Sequence, residues 1–162
     1  MAAEKNVDLL VKAFRELRPQ QWGLILVGNG PEDAAIGELI RDSPENIYKY
    51  NAVGWTDVPG FFSRAGCFVL PSLSEPWGLV INEAMVCGLP VIVSEACGCV
   101  PDLVNGNGYT VIPGDLASLK NRMAAVMADP QPEKMKRRSL EIIRDFSVVS
   151  VATAYVQALK AL

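Results

Sequence analysis

Two carboxylates, Glu75 and Glu83, stand eight positions apart in PSLSEPWGLVINEAMVCGLPVIVSEACG, residues 71–98, on either side of a Pro-Trp-Gly turn. One chemistry for such a pair is hydrolysis, which needs the two carboxyl groups ~5–9.5 Å apart. Eight helical steps of ~1.5 Å separate the backbones by about 12 Å, and nothing nearby is arranged to activate water, so hydrolysis fits poorly. A second chemistry is recognition, because an acceptor-only carboxylate suits ribose or sugar hydroxyls. The plainest alternative is structural. Glu75 is then a favourable acid at a helix start, worth ~0.3–1 kcal/mol, and Glu83 a surface residue. Spacing alone leaves recognition and structure open. The chain has no histidine, so any acid, base or metal chemistry that depends on one must come from elsewhere.

The elements that position these residues read as an alternation. NVDLLVKAFREL has apolar residues at helical spacing, and WGLILVG is a buried strand ended by Gly28. PEDAAIGELIRD begins with proline and acids and reads as a helix, NIYKYNAVG as a strand, VPGFFSRAG as a short helix and CFVLPS as a strand. WGLVINEAMVCG is a helix with Gly88 as its stop, followed by the strand PVIVS. GCVPDLV, GYTVI and LASLKNRMAAVMAD repeat the rhythm, and the tail from about Pro132 to Leu162 is helical with a break near Ser147.

Continuously apolar strands separated by helices predict a Rossmann-like, doubly wound parallel sheet with helices on both faces. The chain opens on a helix with no strand before it, and nothing resembles a linker or repeat, so residues 1–162 are expected to form a single domain. In such sheets ligands bind at the carboxyl ends of the strands. The loop after CFVLPS lies there, and a helix starting near Pro76 would point the free backbone N–H groups of Trp77, Gly78 and Leu79 at it, an anion site favoured by the helix dipole. Gly78 lets a ligand approach the backbone. Glu83, two turns inside that helix, would project beside the ligand rather than cap.

Composition excludes several partners. The chain is 50% hydrophobic with a formal charge of −3 and a pI of about 5.0, which argues against a general binder of nucleic acid or anionic membranes. The cluster Lys134, Lys136, Arg137 and Arg138 reads as one solvated helix face. No apolar run reaches the ~18 residues of a membrane span. Cys67, Cys87, Cys97 and Cys99 lack the paired spacing of a zinc site and read as reduced, buried cysteines of a cytosolic protein.

SEPWGLVINEAMVCGLPVIVSEACGCVPDLVNGNGYTVIPGD resembles the donor-binding signature of the family 4, or group 1, retaining glycosyltransferases of GT-B fold. EKNVDLLVKAF, LVGNGPE and VGWTDVPGFFSRAGCFVLPS resemble further blocks in the right order, from about residue 4 to about 117. The resemblance implies that this is the donor-binding half of such an enzyme, with the acceptor-binding half absent. The donor is a nucleoside diphosphate sugar, and the acceptor glycan or lipid-linked sugar is met through the other half. It implies polysaccharide or glycolipid synthesis in the cytoplasm, with any membrane contact made by that other half.

By position, the resemblance gives Glu75 the donor sugar hydroxyls and reaction centre, Glu83 the ribose hydroxyls, and the amides at Trp77, Gly78 and Leu79 the diphosphate. Lys5, in EKN, would neutralise the departing diphosphate, so that no metal or other cofactor is required. Gly28 and Gly30 would turn the chain beside the ligand, and the segment at Val53 and Gly54 would lie by the base. Departures are Asp102 where a glutamate is usual, Cys99 where glycine is common, and a slightly long IYKYNAVG. The family's lysine also follows a strand ending in Gly-Arg, which does not precede it here, so a gap or bare edge is expected in the sheet. Three other readings remain: a nucleotide-sugar epimerase of similar fold, a binding module without activity, and a dinucleotide oxidoreductase. The last is disfavoured because Gly28-Asn29-Gly30 does not continue into the full glycine fingerprint.

Overall fold

The computed structural model describes residues 1–41 and 46–160. The far ends of two predicted helices, at Asp42 and Leu162, lie outside these residues. After a single 3-10 turn at Ala3–Lys5, α1 (Val7–Leu17) buries Leu10, Val11, Ala13 and Phe14 along one stripe. Then follow β1 (Leu24–Val27), α2 (Asp33–Arg41), β2 (Ile47–Tyr50), α3 (Val58–Phe62), β3 (Phe68–Leu70) and α4 (Leu79–Val86). β4 (Val91–Ser94), α5 (Val100–Leu103), β5 (Gly108–Val111) and α6 (Leu116–Met127) continue the alternation, and α7 (Pro132–Ile143) and α8 (Val148–Lys160) close it. The tail breaks at Ser147, as expected. Its hydroxyl accepts the N–H of Ser150 at 3.1 Å and so caps α8.

All strand pairs are parallel, but they form two sheets rather than one: β1 with β2, and β3–β4–β5. One helical layer serves both, because α1, α2 and α6 share a core with Leu24 and Leu26 of β1, Ile92 of β4 and Val111 of β5. The opposite face of β3–β4–β5 is covered by α4, α5 and α7 through Ile81, Met85, Leu103, Ile142 and Ile143. A buried polar chain pins α7 there. Asn107 Nδ2 donates to Leu103 O at 3.0 Å and to Ser139 Oγ at 3.2 Å, and that hydroxyl donates to Leu89 O at 2.6 Å.

Helices thus flank the parallel sheets as expected, and they leave one face of the smaller sheet more open. Ile25, Val27, Tyr48 and Tyr50 lie on one face of β1–β2 and are all exposed. No strand pairing joins β1 to β3. Between them runs a slot of about 690 Å³, lined by both strands, by Val7 and Leu10 of α1 and by Phe61 and Phe62 of α3. This is the gap expected in the sheet.

Two further expectations are corrected. α4 begins at Leu79, not near Pro76, because Gly78 enters it in the left-handed region (φ 87°, ψ 63°), where the first helical turn cannot start earlier. Of the four cysteines only Cys97 and Cys99 are buried. Cys67 is half-buried, and Cys87, which follows the last turn of α4, faces solvent. The basic cluster does lie on an exposed helix face, where Lys136 pairs with Glu133 and Arg138 with Glu141. α8 buries none of its residues and exposes Val148, Val149, Val151, Tyr155, Val156 and Leu159. Among the described residues no single helix is long and apolar enough to cross a membrane.

Candidate functional site

The carboxyl ends of all five parallel strands open to the same side, and the residues singled out by type and spacing gather there in two groups. The first hangs from β3. Its loop, residues 71–78, is stitched to neighbours along its length. Asn6 Nδ2 donates to Pro71 O at 3.3 Å, and the N–H of Leu73 donates to Glu4 O at 2.7 Å. Glu75 makes a parallel bridge with Cys97, its N–H donating to Ala96 O at 3.2 Å and its carbonyl accepting the N–H of Gly98 at 3.0 Å. Glu75 is thus a residue of a stapled loop rather than of a helix start, which removes the simple helix-dipole explanation for it.

Within this frame the Lys5 ammonium donates to Oε2 of Glu75, 70 residues away in sequence. The carboxylate side chain is only 12% exposed, while the lysine side chain keeps 40% of its surface in solvent. A half-open cation held by a nearly closed anion can be approached by a second anion from the solvent side. Next to the pair, the N–H groups of Trp77, Gly78 and Leu79 have no acceptor among the described residues, as is usual for donors at a helix entrance. Leu79 is 70% exposed and Gly78 is buried, so solvent reaches this entrance from the Leu79 side. A Cβ on Gly78 would fall 2.9 Å from Ile81 Cδ1 and 3.2 Å from Glu75 Cγ, so glycine at 78 keeps both the backbone turn and the Glu75 side chain in place.

The indole of Trp77 points elsewhere. Its Nε1–H donates to Asn82 Oδ1 at 3.0 Å, and its ring sits 6.2 Å from that of Phe146. Only its backbone is offered to the site. Glu83, on the second turn of α4, is exposed and lines the slot together with Lys5. Among the described residues it forms no ion pair.

The second group lies at the ends of β1 and β2. Gly28, at φ 132°, donates its N–H to Tyr50 O at 3.1 Å. Asn29 Oδ1 accepts the N–H of Ala52, which ties the glycine loop to the segment carrying Val53 and Gly54. Gly30 packs against the backbone of Met1, with no room for a side chain. Of the residues singled out, only Lys5 and Glu83 line the slot; Glu75, Trp77, Gly78 and Leu79 do not, and neither do Gly28, Gly30, Val53 and Gly54.

The group 1 glycosyl transferase family matches residues 1–141. The chain belongs to that family. It is 31% identical over 169 residues to O-antigen chain mannosyltransferase B of Escherichia coli, covering all of this chain and 44% of that protein. It is 34% identical over 161 residues to the glycogen synthase of Mycobacterium tuberculosis (strain CDC 1551 / Oshkosh), covering 95% of this chain and 39% of that enzyme. The crystal structure of Anabaena Alr3699/HepE in complex with UDP and glucose superposes with a TM-score of 0.85 at 25% identity, covering all of this chain and 46% of that one. The chain thus spans less than half the length of each of these relatives. The fold is the parallel α/β fold of the GT-B glycosyltransferases, as the resemblance implied.

For this group 1 glycosyltransferase domain the thiols offer little chemistry. Burial pushes Cys97 and Cys99, behind Glu75, up to about 11 each, and Cys67 up to about 12, so at neutral pH all three are uncharged and poor nucleophiles. Among the described residues no group of acidic, cysteine or histidine side chains is arranged to hold a metal ion. Two residues that spacing and motif did not single out hold the site together: Asn6 on the lysine side and Asn29 on the glycine side. Each is a polar residue at a turn, and each reaches a partner remote in sequence, which no local pattern signals.

Proposed function

We propose that this chain is the donor-binding half of a retaining glycosyltransferase that takes a sugar from a nucleoside diphosphate carrier and passes it to an acceptor hydroxyl. The observation that carries the reading is the Lys5–Glu75 pair beside the free N–H groups of Trp77, Gly78 and Leu79. A diphosphate entering there competes with Glu75 for the Lys5 ammonium. Glu75, released from its cation, then accepts from hydroxyls of the donor sugar, and Glu83 accepts from the ribose. The loops at Gly28–Gly30 and Val53–Gly54 flank the base.

In the reaction the bond between C1 of the sugar and the diphosphate oxygen breaks, and its electron pair leaves with the nucleoside diphosphate. Positive charge spreads over C1 and the ring oxygen, and the acceptor oxygen bonds to C1 on the face the diphosphate leaves. Lys5 and the helix entrance stabilise the negative charge as it develops, the kind of fixed electrostatics that dominates many catalytic effects. These positive groups do the work a metal would otherwise do. The acceptor, and the group that takes its proton, are assigned to a second domain that closes the cleft, because transfer needs both substrates held together and water excluded. The proposed setting is cytoplasmic assembly of polysaccharide or glycolipid.

The test pairs binding with turnover. UDP, GDP and ADP are titrated into the 162-residue chain, and labelled sugar transfer is assayed with this chain and with a protein carrying a second domain. Weak nucleotide binding by the chain, with transfer only by the longer protein, is the expected result. Robust transfer by the short chain alone overturns the two-domain reading, and failure of all three nucleotides to bind overturns the donor site.

A further inference from the structure

We infer that Asn6 is a positioning residue for the reaction, acting on the donor diphosphate through Lys5. The inference rests on the role of Lys5 proposed above. Asn6 is buried and immediately precedes α1, with its backbone in the left-handed region at φ 56°, ψ 39°. An asparagine at that place ordinarily has an extended backbone and turns its side-chain oxygen onto an N–H two or three residues ahead. Asn6 does neither. It makes no side-chain cap bond with its own helix. Instead its Nδ2–H crosses 65 positions of sequence to Pro71 O at 3.3 Å, at the residue that follows β3. The helix forgoes a cap so that the side chain can hold the loop.

A second bond lies on the other side of Lys5, where Glu4 O accepts the N–H of Leu73 at 2.7 Å. Lys5 is therefore bracketed in sequence by two residues, Glu4 and Asn6, that each clasp the segment 71–73. Glu75 follows two residues later and is itself stapled to Cys97. A lysine ammonium rides on a flexible four-carbon stem, so the place it reaches depends on where its backbone is fixed. The two clasps fix that backbone against the same loop that presents Glu75 and the free N–H groups. The left-handed conformation explains part of the residue choice, since asparagine tolerates it better than most. Glycine would satisfy the backbone equally well, so the side chain needs its own reason, and the bond to Pro71 supplies one.

Glycine also supplies the test, because Asn6→Gly keeps the backbone and deletes the clasp. Wild type, Lys5→Ala, Asn6→Gly and Lys5→Ala/Asn6→Gly are each titrated with UDP, GDP and ADP by NMR, with thermal melting in parallel. A neutral hydrogen bond transmitted to the site corresponds to about a fivefold loss of affinity. Asn6→Gly is expected to show that loss with little change in Tm, and to add less than twofold once Lys5 is already alanine. Asn6→Asp, which keeps the size but cannot donate to Pro71 O, should lose affinity as well and guards against misfolding of the glycine variant. Unchanged affinity in both Asn6 variants overturns the inference, and so does a fivefold loss that persists in the Lys5→Ala background. If Lys5→Ala binds like wild type, or if no nucleotide binds, the proposed role of Lys5 falls and the positioning role falls with it.

Discussion

β4 buries all four of its residues, whereas β1 buries Leu24 and Leu26 and leaves Ile25 and Val27 at 42% and 37% exposure. Both strands are apolar, both are parallel to a neighbour, and both rest on the same layer of α1, α2 and α6. The difference lies on the other side. Over β4 the chain supplies α4, α5 and α7, while over β1 and β2 the described residues supply the edge of α3, where Phe61 meets Tyr50 ring to ring at 5.3 Å. The candidate site divides along the same line. Lys5, Glu75 and the entrance to α4 belong to the fully covered region, and the loops at Gly28 and Val53 belong to the half-covered one. The covered half thus presents its charged groups on a backbone stapled by several remote bonds. The other half is tied by Asn29 to Ala52, by Gly28 to Tyr50, and by Met1, which accepts the N–H of Glu32 at 2.9 Å and pairs with Asp33.

The contrast breaks most directly in the core. Ile92→Ala, at a site 1% exposed, is expected to cost about 2–5 kcal/mol of folding free energy. Ile25→Ala should cost under ~1 kcal/mol, as less apolar surface leaves water there. Urea unfolding of both variants measures the difference, and equal losses would show that the two sheets are supported alike. At the site, Glu83→Ala should weaken nucleotide binding by ~1.5–3 kcal/mol, the worth of a charged hydrogen-bond acceptor, with little change in stability because the residue is exposed. Unchanged affinity for all of UDP, GDP and ADP in calorimetry would remove the ribose role. A loss of folding stability instead would return Glu83 to a structural part.

At the glycine loop, Asn29→Ala removes one neutral tie and should cost ~0.5–1.5 kcal/mol of nucleotide affinity. An effect as large as that of Glu83→Ala would mean that the half-covered region carries as much of the binding as the covered one. A separate effect is in pH. With Cys97 and Cys99 raised from 9.0 to about 11 by burial, the unfolded chain loses these protons first. Their contribution to stability is fully present below pH 9 and is lost as pH climbs toward 11. Cys97→Ala and Cys99→Ala should each flatten that decline in urea unfolding at pH 8 to 11, and Cys87→Ala, at an exposed position, should not.

The order of strands and helices was legible because apolar periodicity and the stops at Gly88 and Ser147 are local signals. The entrance to α4 is not legible in the sequence because Pro76 and Trp77 look like a first turn, whereas Gly78 takes a left-handed φ at a place where a Cβ would press on Ile81, Glu75 and Leu70. Cys87 reads as buried because Met85 and Leu89 on either side of it are buried, but it shares the exposed side with Val86. The meeting of Lys5 with Glu75 spans 70 positions, and periodicity says nothing about such a contact; only the family resemblance pointed to both residues. Strand order is likewise invisible locally, so the sequence predicts a gap without saying which strands face it. Asn6 and Asn29 were passed over because asparagine at a turn ordinarily serves its own turn.

The slot also bears on how the chain behaves among its own copies. Among the described residues two strand edges face it without a partner, and beside it Ile25, Val27, Tyr48 and Tyr50 are exposed. Open edges of this kind recruit other strands, and natural sheets guard them with charge, proline or a covering element. Lys49 is the only charged residue in β1 or β2, and its ammonium is engaged with Asp33 at 3.2 Å, while a net charge of −3 over 162 residues adds little mutual repulsion. A concentrated solution of this domain is therefore governed by colloidal rather than conformational limits: light scattering rises with concentration while the melting temperature holds, and an added apolar strand that fills the slot acts as a solubiliser.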